Sequence, residues 1–224
     1  MLYDKDIREA LFDFLDMTYG KSRIIEEKSM GRSRADVVMV TPGAVYGIEI
    51  KSDADTYARL KRQVRDYNKY YDYNYVVVGV SHAHHIEEHV PKFWGIITVE
   101  LVDGKVDFYI LRKPTENPKM KWELKLGMLW RPELAHIQEI NQMHKYKQKS
   151  KEFVIEKILE TVPRDILQTQ MCEELFERDY STIQLQIEEY KKKNNQSPQK
   201  TRSKKRNKIR NVTRNNTRRS TSKR

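Results

Sequence analysis

Only one cysteine, Cys172, stands among the 224 residues. That excludes a disulfide framework and any zinc site built from several thiolates, and it suits a reducing cytosol. Long apolar runs are also missing. None approaches the roughly 18 residues that a membrane-spanning helix needs. The opening stretch MLYDKDIREALFDFLD is amphipathic and acidic. It lacks the charged start and unbroken apolar core of a signal peptide, so a soluble, intracellular protein is expected. Acidic residues are absent from residues 191–224, which carry fifteen Lys or Arg. Subtracting those cations from the net charge of +11 leaves residues 1–190 at about −4. The basic character therefore belongs to the tail rather than to the folded body.

What is present reads as an α/β chain. Residues 4–18 place Ile7, Leu11, Phe14 and Leu15 on one helical face. β-like segments follow at 22–28, 35–40 and 44–52, the last two joined by the turn Thr41-Pro42-Gly43. Residues 55–72 carry Leu60, Val64, Tyr67 and Tyr71 at helical spacing. Tyr75–Val80 is a short apolar run, as expected of a strand buried on both faces. Residues 81–90 read as a helix ending at Pro91. Residues 94–102 and 105–111 form a hairpin across Asp103-Gly104. The order αβββαβ(α)ββ predicts a mixed sheet with helices packed against it.

Beyond Pro114 the pattern changes. Residues 114–127 read as irregular, and helices are expected over 132–148, 150–160 and 164–189. The boundaries drawn are 1–112 for the α/β domain, 113–190 for a helical extension and 191–224 for a basic tail. With Ile209 and Val212 as its only aliphatics past Lys193, the tail cannot bury enough surface to fold alone and is expected to be disordered.

One constellation carries chemistry. Asp36 is followed, after twelve intervening residues, by Glu49-Ile50-Lys51. Strand alternation puts Glu49 and Lys51 on one face and Ile48 and Ile50 on the other. Asp36 heads the preceding strand and would meet Glu49 across the hairpin. A Glu-x-Lys strand alone is commonly a surface ion pair; the spaced Asp makes it a candidate site. Paired carboxylates resist ionisation unless a cation offsets them, and Mg²⁺ accepts such a ligand set completed by a carbonyl and waters. Such a centre activates water against a phosphate, while Lys51 would orient that water and stabilise charge.

The segments RSRADVVMV, YGIEIKSDADTYARLKRQVRDYNKYYDYNYVVVG and VPKFWGI resemble the PD-(D/E)xK nuclease superfamily. More narrowly they resemble its sce7726/MmcB-like putative DNA-repair endonucleases, over residues 4–100. Ala35 departs from the proline of the superfamily's name. The resemblance implies a restriction-endonuclease-like αβββαβ core and a bacterial or phage-infected cytoplasm as the setting. It implies a Mg²⁺- or Mn²⁺-dependent endonuclease acting on DNA in repair, recombination or phage DNA metabolism. It makes Asp36, Glu49 and the Ile50 carbonyl metal ligands, and Lys51 the catalytic lysine. Gln63 matches a glutamine on the next helix, and Glu9 is preferred over Asp6 and Glu27 as a further acid. A homodimer fits, since many branched-DNA nucleases of that fold are dimeric. The competing expectation is a nuclease-fold protein that binds nucleic acid or a protein without cleaving.

Arg32, Arg34, Arg59 and Arg62 are candidate phosphate contacts, with Lys61 and Arg65 nearby; a solvated charged face is the plainer reading. The tail is expected to bind polyanions, DNA first and RNA second, with steep salt dependence. The cluster His82, His84, His85 and His89 lacks an acidic partner at zinc spacing and is read as capping or surface. Cys172 is expected to be packed. Trp122 and Trp130 are expected to dock the helical extension, with base stacking as the alternative.

Overall fold

The computed structural model describes residues 2–53 and 55–178. The expected basic tail and the end of the last helix lie outside the described residues. The fold is mixed α/β, with six strands in the spatial order of the sequence. α1 (Asp4–Tyr19) leads into β1 (Arg23–Met30), β2 (Ser33–Thr41) and β3 (Ala44–Lys51), which form an antiparallel meander. A 3₁₀ turn at Tyr57–Arg59 and α2 (Leu60–Tyr70) then cross over to β4 (Tyr73–Gly79), parallel to β3. The short helices α3 (Val80–Ala83) and α4 (Ile86–His89) precede β5 (Gly95–Val102), parallel to β4. β6 (Lys105–Arg112) closes the sheet antiparallel to β5. Asp103 and Gly104 both take positive φ, 51° and 76°, the geometry that a two-residue hairpin turn of the expected kind demands.

The central strands of the sheet are buried on both faces. On one, Ile7, Leu11 and Leu15 of α1 pack on Val37, Met39, Ile48, Ile50 and Val77. On the other, Leu60, Val64 and Tyr67 of α2 cover Val38, Val45, Val76 and Val78. The same core continues into α5 (Trp122–Leu126), α6 (Arg131–Ile140), α7 (Lys151–Thr161) and α8 (Arg164–Glu177). Residues 2–178 form one compact unit. Gly47 is required here, because a Cβ at that position would strike the rings of Tyr71 and Tyr67.

Several boundaries differ from the sequence reading. The stretch expected as irregular contains α5. The helix expected over 55–72 starts as a 3₁₀ turn, and that over 81–90 is two short pieces. The helix expected to run to 148 stops at Ile140. Gln142 adopts φ 55° there, and Gln142 N–H and Met143 N–H bond back to Glu139 O and Gln138 O at 3.0 and 2.8 Å. This is a Schellman stop in which glutamine occupies the place glycine normally marks.

Two irregularities position the candidate site. Ala35 and Val38 both face the α2 side, while Val37 and Met39 face the α1 side. Strict alternation is therefore broken at Asp36. Opposite it, Glu27 takes φ 52° and leaves the β1–β2 ladder, which pairs Glu26 with Val37 and Lys28 with Ala35. A left-handed backbone at a residue with a side chain is strained, and such strain gathers at sites that use it. The second irregularity is a fork. β2 and β3 pair only as far as Val37–Ile48, whereas β3 follows β4 on to Lys51–Val78.

Candidate active site

The fork frees backbone groups, and side chains take them up. Asp36 Oδ2 accepts from Ile50 N–H at 2.9 Å. The Tyr67 hydroxyl accepts from Asp36 N–H at 3.2 Å and donates to the Ile48 carbonyl at 3.1 Å. A buried phenol from α2 thus stands where a β2–β3 ladder bond would otherwise run. Buried backbone groups must be paired, so the hydroxyl holds the fork open at no loss of hydrogen bonding.

Beyond the fork, alternation places Ile48 and Ile50 against α1 and Glu49 and Lys51 toward α2. The Lys51 ammonium donates to Glu49 Oε1 at 2.6 Å and to Gln63 Oε1 at 3.2 Å. Gln63 Nε2 donates to the same Glu49 oxygen. The third ammonium proton of Lys51 has no partner among the described residues. Glu49 and Lys51 are almost wholly buried, at 1% and 3% side-chain exposure. Glu49 Oε2 is buried with no hydrogen-bond partner among the described residues. Such an orphaned oxygen is costly unless a donor or cation meets it.

Burial pushes the Glu49 carboxyl up to about 7, the negative charge of Asp36 adds to this, and Lys51 and the Tyr67 hydroxyl oppose it. Burial also raises Asp36, opposed by the Ile50 N–H bond and by Lys51. Burial is the main cause at both carboxyls, and a bound cation would favour their ionised forms.

These residues line a cavity of about 550 Å³. Asp36, Glu49, Ile50, Lys51 and Gln63 come together in it, and Arg32, Arg34, Arg59 and Arg62 also border it. Arg34 is engaged with Glu27 at 2.9 Å. Glu27 therefore lies on the wall with its carboxylate already paired. Glu9 is exposed and does not line the cavity, and neither does Asp6. One helical turn places Asp4 and Arg8 there instead. Arg8 bonds Asp4 Oδ2 at 2.6 Å and the Asp36 carbonyl at 3.2 Å, with Asp36 Oδ1 at 3.9 Å. The i, i+4 pair Asp4/Arg8 was the available signal. Asp55 was also missed; its carboxylate caps Ser52 N–H at 2.9 Å and borders the cavity.

Among the described residues, no group of three or more His, Cys, Asp or Glu side chains is placed to hold a metal ion. A divalent cation would rest on Asp36, Glu49, the Ile50 carbonyl and water. The orphaned Glu49 oxygen and the raised carboxyls fit such an occupant, and magnesium commonly retains several waters.

The remaining candidates pack structurally. His82 and His89 pack against Tyr57 with tilted rings, their centroids 5.0 and 4.3 Å from that of the tyrosine. Cys172 is buried in α8, and burial pushes its thiol up to about 11. Trp122 lies under Lys125 at 4.5 Å and Trp130 under Arg178 at 4.2 Å. No helix among the described residues is long and apolar enough to cross a membrane.

A mixed six-stranded sheet with acids, a lysine and a glutamine at a strand fork defines the class of protein only by fold and site. Residues 1–208 match the family described as Bacteriophage P4 protein cII, and the chain belongs to that family. No curated protein matches. Among solved structures, SfsA of Pyrococcus furiosus, determined in complex with Ca²⁺, is similar at 14% identity and a TM-score of 0.29. That alignment covers 53% of this chain and 62% of the other.

Proposed function

We propose that this phage-family protein is a metal-dependent endonuclease that hydrolyses DNA phosphodiester bonds. The observation that carries this reading is the buried Glu49–Lys51–Gln63 cluster, with an unmet carboxylate oxygen, sharing one cavity with Asp36. The resemblance of residues 4–100 to PD-(D/E)xK nucleases assigns the same residues the same roles.

Asp36, Glu49 and the Ile50 carbonyl would hold Mg²⁺ or Mn²⁺, which supplies Lewis-acid polarisation of a phosphate and acidifies bound water. The chain's own residues do the rest. Gln63 and Glu49 fix the Lys51 ammonium, so its third N–H is oriented before substrate arrives. That ammonium stabilises charge on the phosphate as the oxygen–phosphorus bond to water forms and the bond to the leaving oxygen breaks. Arg32, Arg59 and Arg62 have no ion-pair partner among the described residues and border the cavity as phosphate contacts. Arg8 holds the Asp36 main chain and steadies its carboxylate.

Incubation of the full chain with plasmid and branched DNA in Mn²⁺ or Mg²⁺ tests this. Cleavage by the wild type, lost by at least about 100-fold in Lys51→Ala and Asp36→Asn, is expected. DNA binding without cleavage by the wild type would refute it and select the non-cleaving reading.

A further inference from the structure

A second cavity, of about 630 Å³, lies on the other flank of α2. Its rim carries Lys61, Arg65 and Lys69 from α2, and Lys119 and Lys121 from the segment ahead of α5. No acidic residue lines it. The first three recur every fourth residue and so form one stripe along the helix. The loop pair is fixed to that helix, because Lys121 N–H donates to the Lys69 carbonyl at 3.0 Å. Lys69 has an acid near it, Asp66 at 3.7 Å. Lys61, Arg65, Lys119 and Lys121 are exposed, and their side chains have no hydrogen-bond or ion-pair partner among the described residues. Val64, Pro118 and Met120 supply an apolar floor.

Like charges gathered in one concavity repel, and among the described residues only Lys69 of these five cations has an acid beside it. We infer that this groove binds the phosphate backbone of the nucleic acid whose scissile bond sits in the first cavity. The inference rests on reading that first cavity as a nucleic-acid site. The ligand is a chain of phosphates because the cations are spaced along a groove rather than focused on one point. The same helix brings Arg62, and the 3₁₀ turn that precedes it brings Arg59, to the first cavity, so a backbone crossing α2 meets both sets. A planar lipid surface would not reach the floor of a concave groove. Rim cations over an apolar floor bind without reading sequence, so the site positions an arm of the substrate and adds affinity.

The test is binding by the full chain, in EDTA, to a fluorescent DNA duplex, read by anisotropy between about 50 and 200 mM salt. Cations elsewhere contribute equally to the wild type and to the variant Lys61→Ser/Arg65→Ser/Lys119→Ser/Lys121→Ser. For every phosphate that a cation no longer neutralises, the slope of log affinity against log salt becomes shallower by about 0.9. A slope lower by about 2 or more, with unchanged melting temperature, is expected. An unchanged slope and affinity would overturn the inference. So would a variant that loses binding to anionic phosphatidylserine vesicles but keeps binding to DNA. Should the fourfold variant melt lower, Lys119→Ser/Lys121→Ser reads the same slope with about half the decrement. Because no cleavage is measured, a wild type that binds DNA but never cuts it leaves this result independent of the catalytic reading.

Discussion

Glu49→Gln should remove a pH dependence of stability that the wild type carries. Glu49 has its ordinary value of 4.5 in the unfolded chain and about 7 in the fold. Between those values the native state holds a proton that the unfolded state has released. Stability from this group is therefore fully present below its unfolded value and is lost as pH rises through about 7. The displacement corresponds to about 3 kcal/mol over the whole window. The side chain is 1% exposed, so solvent screening removes little of it. Gln63 and Lys51 can still contact a glutamine at this position, but the buried Lys51 loses its counter-charge and the variant starts from a lower stability, so the change with pH is what is compared. Urea denaturation in EDTA at about pH 5 and pH 8 is the assay. With a denaturant slope of about 2–3 kcal/mol per molar, the wild-type midpoint should fall by about 1 M more than that of the variant. Saturating Mn²⁺ should return that loss to the wild type alone, since a ligand of the ionised native site stabilises by mass action. Parallel midpoint curves for the two proteins would refute the reasoning, and so would a wild type that gains stability across the same interval.

Tyr67→Phe removes the hydroxyl between Asp36 N–H and the Ile48 carbonyl and leaves both buried groups short of a partner. A loss of about 1–3 kcal/mol in thermal or urea unfolding is expected, together with weaker cleavage if the fork positions Asp36; an unchanged midpoint would show that water fills the gap. Gly47→Ala drives a methyl into the rings of Tyr71 and Tyr67. It should cost about 1–3 kcal/mol or more by the same measurement, since neither ring can withdraw from a packed core.

Much of the architecture was legible because it follows from periodicity. α1, the meander and the Asp103-Gly104 hairpin are visible as spacing three or four, spacing two, and a dipeptide suited to positive φ. Alternation likewise placed Glu49 and Lys51 together. What escaped was set by tertiary contact. The stop after Ile140 rests on a left-handed Gln142, which no propensity marks. α5 is a single turn held between α2 and α7, too short to carry a period. At the site, the resemblance favours Glu9 on the first helix, but the facing of that helix is decided by Ile7, Leu11 and Leu15, and their burial turns Asp4 and Arg8 toward the cavity. The role of Tyr67 was hidden for a related reason: its ring reads as core, and only the forked ladder gives its hydroxyl something to do.

The reversal of facing at Asp36 constrains how this chain can diverge. Each strand residue past the reversal owes its side to the number of residues before it, not to their kind. One residue added or removed between Gly31 and Val37 would exchange the two coats of β2, moving Val37 and Met39 into the tyrosines and Val38 and Val40 under α1. Relatives that keep this site should therefore keep the residue count of that stretch as strictly as they keep Asp36 itself. Length, there, is the inherited character.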